Sequence, residues 1–346
     1  MKYRLFGNTG LRVSELCFGT MGFGTEWGWG SDKEESKKIF DTFANAEGNF
    51  FDTANRYTEG TSEKFLGEFI TSDRDHFVIA TKYTLKDRNG DLNFAGNHRK
   101  NLMRSVRDSL KRLNTEYIDI LWMHAWDLMT PAEEIMKGFD DLVSRGLVHY
   151  IGVSDTPAWV VSQCNTLAQL RGWNQFAGLQ VEYSLIQRTV EFDLFSMASA
   201  FGMTVTPWAP LGGGALTGKY LRGEKGRIPE GSKRLGERAT GIARKVVEVA
   251  GSLGFTPAKV AINWTRQHRQ LSVIPIIGAT KAAHVEDMLG ATNFILPKEA
   301  FDELNEVSRI ELPFPYSFFS EKTPMDVVYS GAREKLEDRR FKVSDF

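Results

Sequence analysis

The chain has 346 residues, of which 42% are hydrophobic and 25% charged, and a net charge of −1. Lys and Arg are interspersed with Asp and Glu, which leaves no basic footprint for nucleic acid and no polybasic anchor for a membrane. No apolar run approaches the ~20 residues that span a bilayer, and Cys17 and Cys164, the two cysteines present, argue against a disulfide scaffold and for a reducing compartment.

The opening Met1-Lys2-Tyr3-Arg4-Leu5-Phe6-Gly7 has no apolar signal region, so a cytoplasmic protein is expected. Two short extended pieces, 3–6 and 11–13, flank the turn Gly7-Asn8-Thr9-Gly10 and predict a hairpin plugging the bottom of a barrel. Strand-like runs then follow at 16–18, 49–52, 77–82, 117–124, 148–153, 179–181, 203–206 and 273–276. Helical segments alternate with them. The segment 32–45 opens with an Asp cap, and 99–113 places Leu102, Val106, Leu110 and Leu113 along one stripe. Pro131 and Pro157 stand where a first helical turn favours proline. Eight strand–helix units predict a (β/α)8 TIM barrel, a single domain over 1–346.

Two regions break the alternation. The stretch 211–240 after the seventh strand is long and rich in Gly, Lys and Arg, and loops of that length are commonly functional. The tail 310–346 reads as irregular; its aromatic run Pro313-Phe314-Pro315-Tyr316-Ser317-Phe318-Phe319 is expected to pack on the barrel, and its charged end to form a surface helix or to fray.

Chemistry gathers at the carboxyl ends of the early strands. Asp52, Tyr57, Lys82 and His124 all lie there, the end where parallel barrels assemble their sites. A free phenol titrates near ~10 and is a reluctant acid at neutrality. A lysine beside it favours the phenolate, an aspartate can hold that lysine, and an imidazole can bond a carbonyl oxygen awaiting the proton. The plainer alternative is a buried Asp52–Lys82 ion pair beside a core tyrosine and histidine; four such residues at strand ends favour chemistry.

Over roughly residues 1–310 the sequence resembles the aldo-keto reductase superfamily. The resemblance rests on Gly19-Thr20-Met21, Asp52-Thr53-Ala54 with Tyr57, Thr81-Lys82, His124-Ala125-Trp126-Asp127 and Gly152-Val153-Ser154. It continues through Gln180-Val181-Glu182-Tyr183-Ser184-Leu185, Pro210-Leu211, Leu216-Thr217-Gly218-Lys219-Tyr220 and Gly278-Ala279-Thr280. The pattern is closest to bacterial and plant members related to potassium-channel β-subunits. It implies a barrel that binds NADP(H) or NAD(H) without a Rossmann fold and moves a hydride reversibly between the cofactor and an aldehyde or ketone. Tyr57 then resembles the general acid, with Lys82 lowering its pKa, Asp52 supporting Lys82, and His124 orienting the substrate.

By the same resemblance, Gly19, Thr20, Met21, Asp52, Ser154, Asp155, Gln180, Trp208, Ala209, Pro210, Leu211, Gly212, Gly214, Gly218, Lys219, Gly278, Thr280, Lys281, His284 and Asp287 are the cofactor positions. Four positions depart from the family pattern. Asp155 replaces an Asn, so an acceptor-only carboxylate stands where an amide is usual. Trp208 stands where Tyr is frequent, His284 replaces Gln or Arg, and Met288 replaces Asn at the adenine contact. Thr280 and Lys281 suit a 2′-phosphate, making NADP(H) the preferred cofactor and NAD(H) the alternative.

Gly213-Gly214-Ala215-Leu216-Thr217-Gly218-Lys219 also fits GxxxxGK, but Tyr220 removes the hydroxyl a phosphate-binding loop needs for Mg²⁺. A Gly-rich turn there can still offer amides to a pyrophosphate. Trp27, Trp29 and Trp126, with Tyr57 and His124, are expected to wall the substrate pocket; Phe94 and 316–319 are candidates for its mouth, and Trp159 reads as loop packing. His76, His98, His149 and His268 show no ligand spacing, so no metal is expected. The reading is an enzyme for a small carbonyl or alcohol, with oligomerisation left open. The rival is a cofactor-binding redox sensor or accessory subunit with slow turnover.

Overall fold

Tyr3–Leu5 (β1) and Arg12–Ser14 (β2) pair antiparallel, Tyr3 opposite Ser14 and Leu5 opposite Arg12, as the turn sequence predicts. The computed structural model describes residues 1–267, 271–332 and 335, and in it this hairpin closes the N-terminal end of a barrel. Gly7 permits the turn: its φ is +58°, and a Cβ there would stand 2.3 Å from the Ala177 carbonyl oxygen. Phe6, fully buried, thereby enters the barrel and meets Phe50 and Trp122 edge-on at 6.1 and 5.9 Å.

Eight parallel strands follow: Cys17–Gly19 (β3), Phe50–Asp52 (β4), Val78–Tyr83 (β5), Ile118–Met123 (β6), Val148–Ser154 (β7), Phe176–Glu182 (β8), Thr204–Trp208 (β9) and Ile276–Ile277 (β10). They hydrogen-bond in the order β10-β3-β4-β5-β6-β7-β8-β9. Val205 and Val273 form an isolated bridge, with Val205 N donating to Ser272 O at 2.9 Å and Ile274 N to Val205 O at 2.8 Å. That bridge closes the sheet into the expected (β/α)8 barrel.

Strand alternation divides the side chains. Phe50, Val78, Ala80, Ile120 and Trp122 fill the interior with Phe6, whereas Phe51, Ile79 and Leu121 pack outward under the helices. The same period places Asp52 on the face of Phe50 and Lys82 on the face of Val78 and Ala80. Two glycines make room for Trp122. A Cβ at Gly152 would lie 2.3 Å from its ring and one at Gly178 2.8 Å, and the β7–β8 register shifts beside it, between Ile151 and Gly152.

The outer layer comprises Lys33–Asn45 (α1), Thr61–Ile70 (α2), Arg99–Leu113 (α3), Ala132–Ser144 (α4), Ala158–Arg171 (α5), Leu194–Ala200 (α6), Glu237–Leu253 (α7), Pro257–Arg266 (α8), Ala282–Leu289 (α9) and Lys298–Val307 (α10). Asp32 caps α1 by accepting from Glu35 N at 2.9 Å, and His98 Nδ1 caps α3 through Asn101 N at 3.2 Å. Pro131 and Pro157 occupy the N-cap of α4 and α5, one place earlier than expected, with ψ of 144° and 143°.

The stretch after β9 is built of 3₁₀ turns at Gly212–Thr217, Lys219–Arg222 and Lys233–Leu235, and α7 starts at Glu237, inside the segment expected to be loop. The tail also departs from the irregular reading, forming two short helices, Tyr316–Ser320 (α11) and Lys322–Val328 (α12). Tyr316 anchors it, donating its hydroxyl to Asp193 Oδ1 at 2.6 Å and packing on Phe192. Phe314, Phe318 and Phe319 stay exposed, against the expectation of a packed aromatic run. His268 and the charged end of the tail lie outside the described residues. Among the described residues no helix is long and apolar enough to cross a membrane.

Candidate active site

Parallel register carries Asp52, Lys82, His124, Ser154, Gln180 and Trp208 to one end of the barrel, each within two residues of its strand's carboxyl terminus. Lys82 is fully buried; its Nζ pairs with Asp52 Oδ2 and donates to the Thr53 carbonyl at 2.7 Å. The other Asp52 oxygen accepts from Gln180 Nε2 at 3.0 Å. Asp52 is thus held from β5 and β8 at once. Tyr57 leaves β4 through a 3₁₀ turn that includes left-handed Thr58 and Glu59. Its ring centre lies 4.9 Å from Lys82 Nζ, which sets the ammonium against the phenol. His124 meets the same ring edge-on at 6.0 Å.

Burial penalises the Lys82 charge, but Asp52 and Tyr57 outweigh it, and the lysine pKa is raised. Burial also pushes the Tyr57 phenol up; Lys82 pulls it down without overcoming burial. Lys82 thus acts in the expected direction, downward, while burial, the larger effect, leaves the phenol of the free protein raised and protonated at neutral pH. Burial and the Lys82 charge hold the His124 imidazole well below its ordinary value, hence neutral. Together these groups can give a proton and steady the resulting negative charge.

Among the described residues, Ser154 Oγ and His124 Nδ1 are buried without a hydrogen-bond partner. Unmet polar atoms at a strand-end mouth suit a ligand rich in amide and hydroxyl groups, and the cofactor expectation fits them. Gly19, Thr20 and Met21 end and follow β3, with Thr20 N donating to the Asp52 carbonyl at 2.8 Å. Trp208, Ala209, Pro210 and Leu211 end and follow β9, and Gly278, Thr280 and Lys281 follow β10.

Several expected contacts are engaged within the protein. Gly212, Gly213 and Gly214 run through consecutive positive φ angles of 58°, 73° and 99°. The amides of Gly212 and Gly214 donate to the Ala209 and Leu211 carbonyls, so these two do not form an open cradle. Lys219 begins a 3₁₀ turn after left-handed Gly218 and not an α-helix, which is unlike a phosphate-binding loop. Asp287 accepts from Thr256 Oγ1 at 2.9 Å and pairs with Lys259 at 3.2 Å, Met288 is buried, and His284 is exposed.

Trp27 reaches Tyr57 at 6.3 Å and Trp29 at 6.0 Å, forming one wall beside the phenol. Trp126 packs edge-on against Trp159 at 5.4 Å, and Phe94 lies between Arg88 and Arg104 at 3.8 and 4.3 Å.

Sequence reading missed the residues that brace these groups. Arg227 lies over Trp29 at 5.6 Å, and Arg234 pairs with Glu182 at 2.5 Å, tying the long loop to both sides of the mouth. Asn97 and Asp127 exchange bonds, Asn97 N to Asp127 Oδ2 at 2.8 Å and Asp127 N to Asn97 Oδ1 at 2.6 Å, fixing the loop that carries His124 and Trp126. An Asp four places before a proline-opened helix was the available signal for Asp127. The arginines had none, because their partners are distant in sequence.

A parallel barrel whose C-terminal mouth joins a phenol, an ammonium, a carboxylate and a neutral imidazole is the architecture of an enzyme that manages protons. The chain belongs to the aldo/keto reductase family, whose model matches residues 15–309. It is 36% identical over 331 residues to norsolorinic acid reductase of Aspergillus flavus, covering 92% of this chain and 83% of that protein. It is 36% identical over 346 residues to the aryl-alcohol dehydrogenase [NADP(+)] of Phanerodontia chrysosporium, covering 93% and 90%. The aldo-keto reductase ausK of Emericella nidulans is also 36% identical, over 332 residues, covering 91% and 83%. The family makes the chain an oxidoreductase acting on carbonyl compounds in general terms.

Proposed function

We propose that this chain reduces an aromatic aldehyde or ketone with NADP(H), Tyr57 supplying the proton. The carrying observation is the buried Lys82, paired with Asp52 and set 4.9 Å from the Tyr57 ring centre, beside a neutral His124. A bound nicotinamide supplies the hydride. Tyr57 donates its proton to the carbonyl oxygen, and Lys82 holds the negative charge left on the phenolate. Asp52 keeps Lys82 charged and aimed. Neutral His124 donates one ring N–H to the same carbonyl oxygen and so orients it. Ser154 Oγ, without a partner of its own, is suited to the nicotinamide carboxamide.

The Trp27–Tyr57 wall supports an aryl substrate, as does a relative named for an aryl alcohol. Thr280, Lys281 and a relative named for NADP(+) support the phosphorylated coenzyme. The test is nicotinamide absorbance with an aryl aldehyde, comparing wild type and Tyr57→Phe with NADPH and then NADH. Loss of about 10²–10⁴-fold in kcat with coenzyme binding kept is expected. Equal turnover in the variant would remove Tyr57 from the mechanism.

A further inference from the structure

Two departures from the family pattern, Asp155 for Asn and Trp208 for Tyr, lie far apart in sequence, yet they meet in the fold. The Trp208 indole Nε1–H donates to Asp155 Oδ1 at 3.1 Å. An indole N–H only donates and an ionised carboxylate only accepts, so each departure supplies what the other lacks.

Both partners are held from behind. Asp155 sits in the left-handed region with φ of +42°, its amide donating to the Gln180 carbonyl at 3.3 Å. Thr156 Oγ1 ties the same turn to the Ser154 carbonyl at 2.8 Å. On the other side, the Arg234 guanidinium lies 5.8 Å from the Trp208 ring centre while pairing with Glu182, the residue opposite Trp208 in the β8–β9 register. The indole is therefore fixed at one edge by Asp155 and overlain by Arg234. An Asn in place of Asp155 has two groups to distribute; Asp155 has acceptors alone, and one of them is turned to Trp208.

We infer that Asp155 is a positioning residue: it fixes the plane of Trp208, and through that plane the seat of the nicotinamide ring, and it does not bind the carboxamide directly. This rests on the NAD(P)H reading above. Two measurements separate the inference from that reading. In the ligand-free protein, the Trp208 indole N–H resonance, assigned with Trp208→Phe, is expected to move in Asp155→Ala and to move less in Asp155→Asn, which keeps an acceptor. A resonance unmoved in Asp155→Ala overturns the inference.

By calorimetry, Asp155→Ala is expected to weaken NADPH binding up to about tenfold, because an indole released from Asp155 must be ordered again on binding. In the Trp208→Phe background the same change is expected to have no further effect. An undiminished loss there would make Asp155 a direct ligand and overturn the inference. A wild-type protein that binds neither NADPH nor NADH overturns the coenzyme reading instead, and the ligand-free resonance tells that failure apart.

Discussion

Tyr57 is pulled two ways, upward by burial and downward by Lys82, and burial prevails. A raised phenol remains protonated through neutrality, so carbonyl reduction should be level there and decline as pH rises into the alkaline range. Alcohol oxidation, which needs the phenolate, should rise over the same range. Lys82→Met removes the downward pull, so the alkaline limb of the reduction profile should shift to higher pH while kcat falls by about 10²-fold or more. The same variant leaves Asp52 charged in the interior without its counter-ion, Gln180 still donating to it, with an expected loss of about 3–5 kcal/mol in denaturant unfolding. A raised Lys82 pKa also fixes the sign of its own linkage: its contribution is complete below the unfolded lysine value and is lost as pH climbs through the folded one.

Glu35 Oε1 accepts from Ala282 N at 2.9 Å, so a carboxylate already sits at the start of α9, next to Thr280 and Lys281. A 2′-phosphate brought there meets that negative charge. Glu35→Gln should therefore improve the Kd for NADPH relative to NADH by roughly threefold or more, read by calorimetry; an unchanged ratio would place the phosphate elsewhere.

At the scale of elements, β7 and β8 show how small residues shape a barrel. Gly152→Ala places a methyl 2.3 Å from the Trp122 ring, with neither backbone nor ring free to move aside. Overpacking of this kind costs about 1–3 kcal/mol or more, and a fall of several degrees in Tm is expected. Gly146→Ala is the control for backbone strain: its φ is +71°, but no atom lies within 4 Å of an added Cβ, so the smaller effect should be conformational alone.

These strands also show what the sequence could and could not disclose. The strands at 49–52, 77–82 and 148–153 were legible to within a residue or two because each carries apolar, β-branched or aromatic residues at its centre. β8 extends from Phe176, three residues before the run at 179 suggested, because Ala177 and Gly178 dilute its hydrophobicity while Gly178 accommodates Phe6 and Trp122. The tetrad was readable because Asp52, Lys82 and His124 lie at or beside strand ends and Tyr57 follows one of them by five residues. Its supports were not: Asn97–Asp127 and Arg227–Trp29 are contacts between loops and Arg234–Glu182 joins a loop to a strand end, and no period announces them.

Across the whole molecule, the hairpin is held under the barrel by a buried charge pair. Arg266 Nη2 donates to Glu15 Oε2 at 2.6 Å while Lys2 N donates to Oε1 at 2.9 Å. Burial alone would raise the Glu15 carboxyl, but the Arg266 and Lys2 bonds prevail and hold it below its ordinary value. A lowered carboxyl contributes stability above its unfolded pKa and loses it as pH falls through the folded one. Acid should therefore weaken the wild type more steeply than Glu15→Gln, seen as denaturant midpoints against pH. Glu15→Ala, which strands Arg266, should cost about 3–5 kcal/mol at neutrality.

The bridge between Val205 and Val273 has a consequence for breathing of the barrel. β10 spans two residues, and the circle is completed there by the Val205 and Ile274 amides, so solvent should enter this joint before the ladders of β5 to β8. The residues proposed to grip the dinucleotide flank the same joint, Trp208 to Leu211 on one lip and Gly278 to Lys281 on the other. A bound coenzyme would thus act as a suture, favouring the shut joint by mass action. Deuterium uptake at Val205 and Ile274 should slow when NADPH is added, more than uptake in β6. In that case coenzyme occupancy would set how often the barrel gapes, as well as what it catalyses.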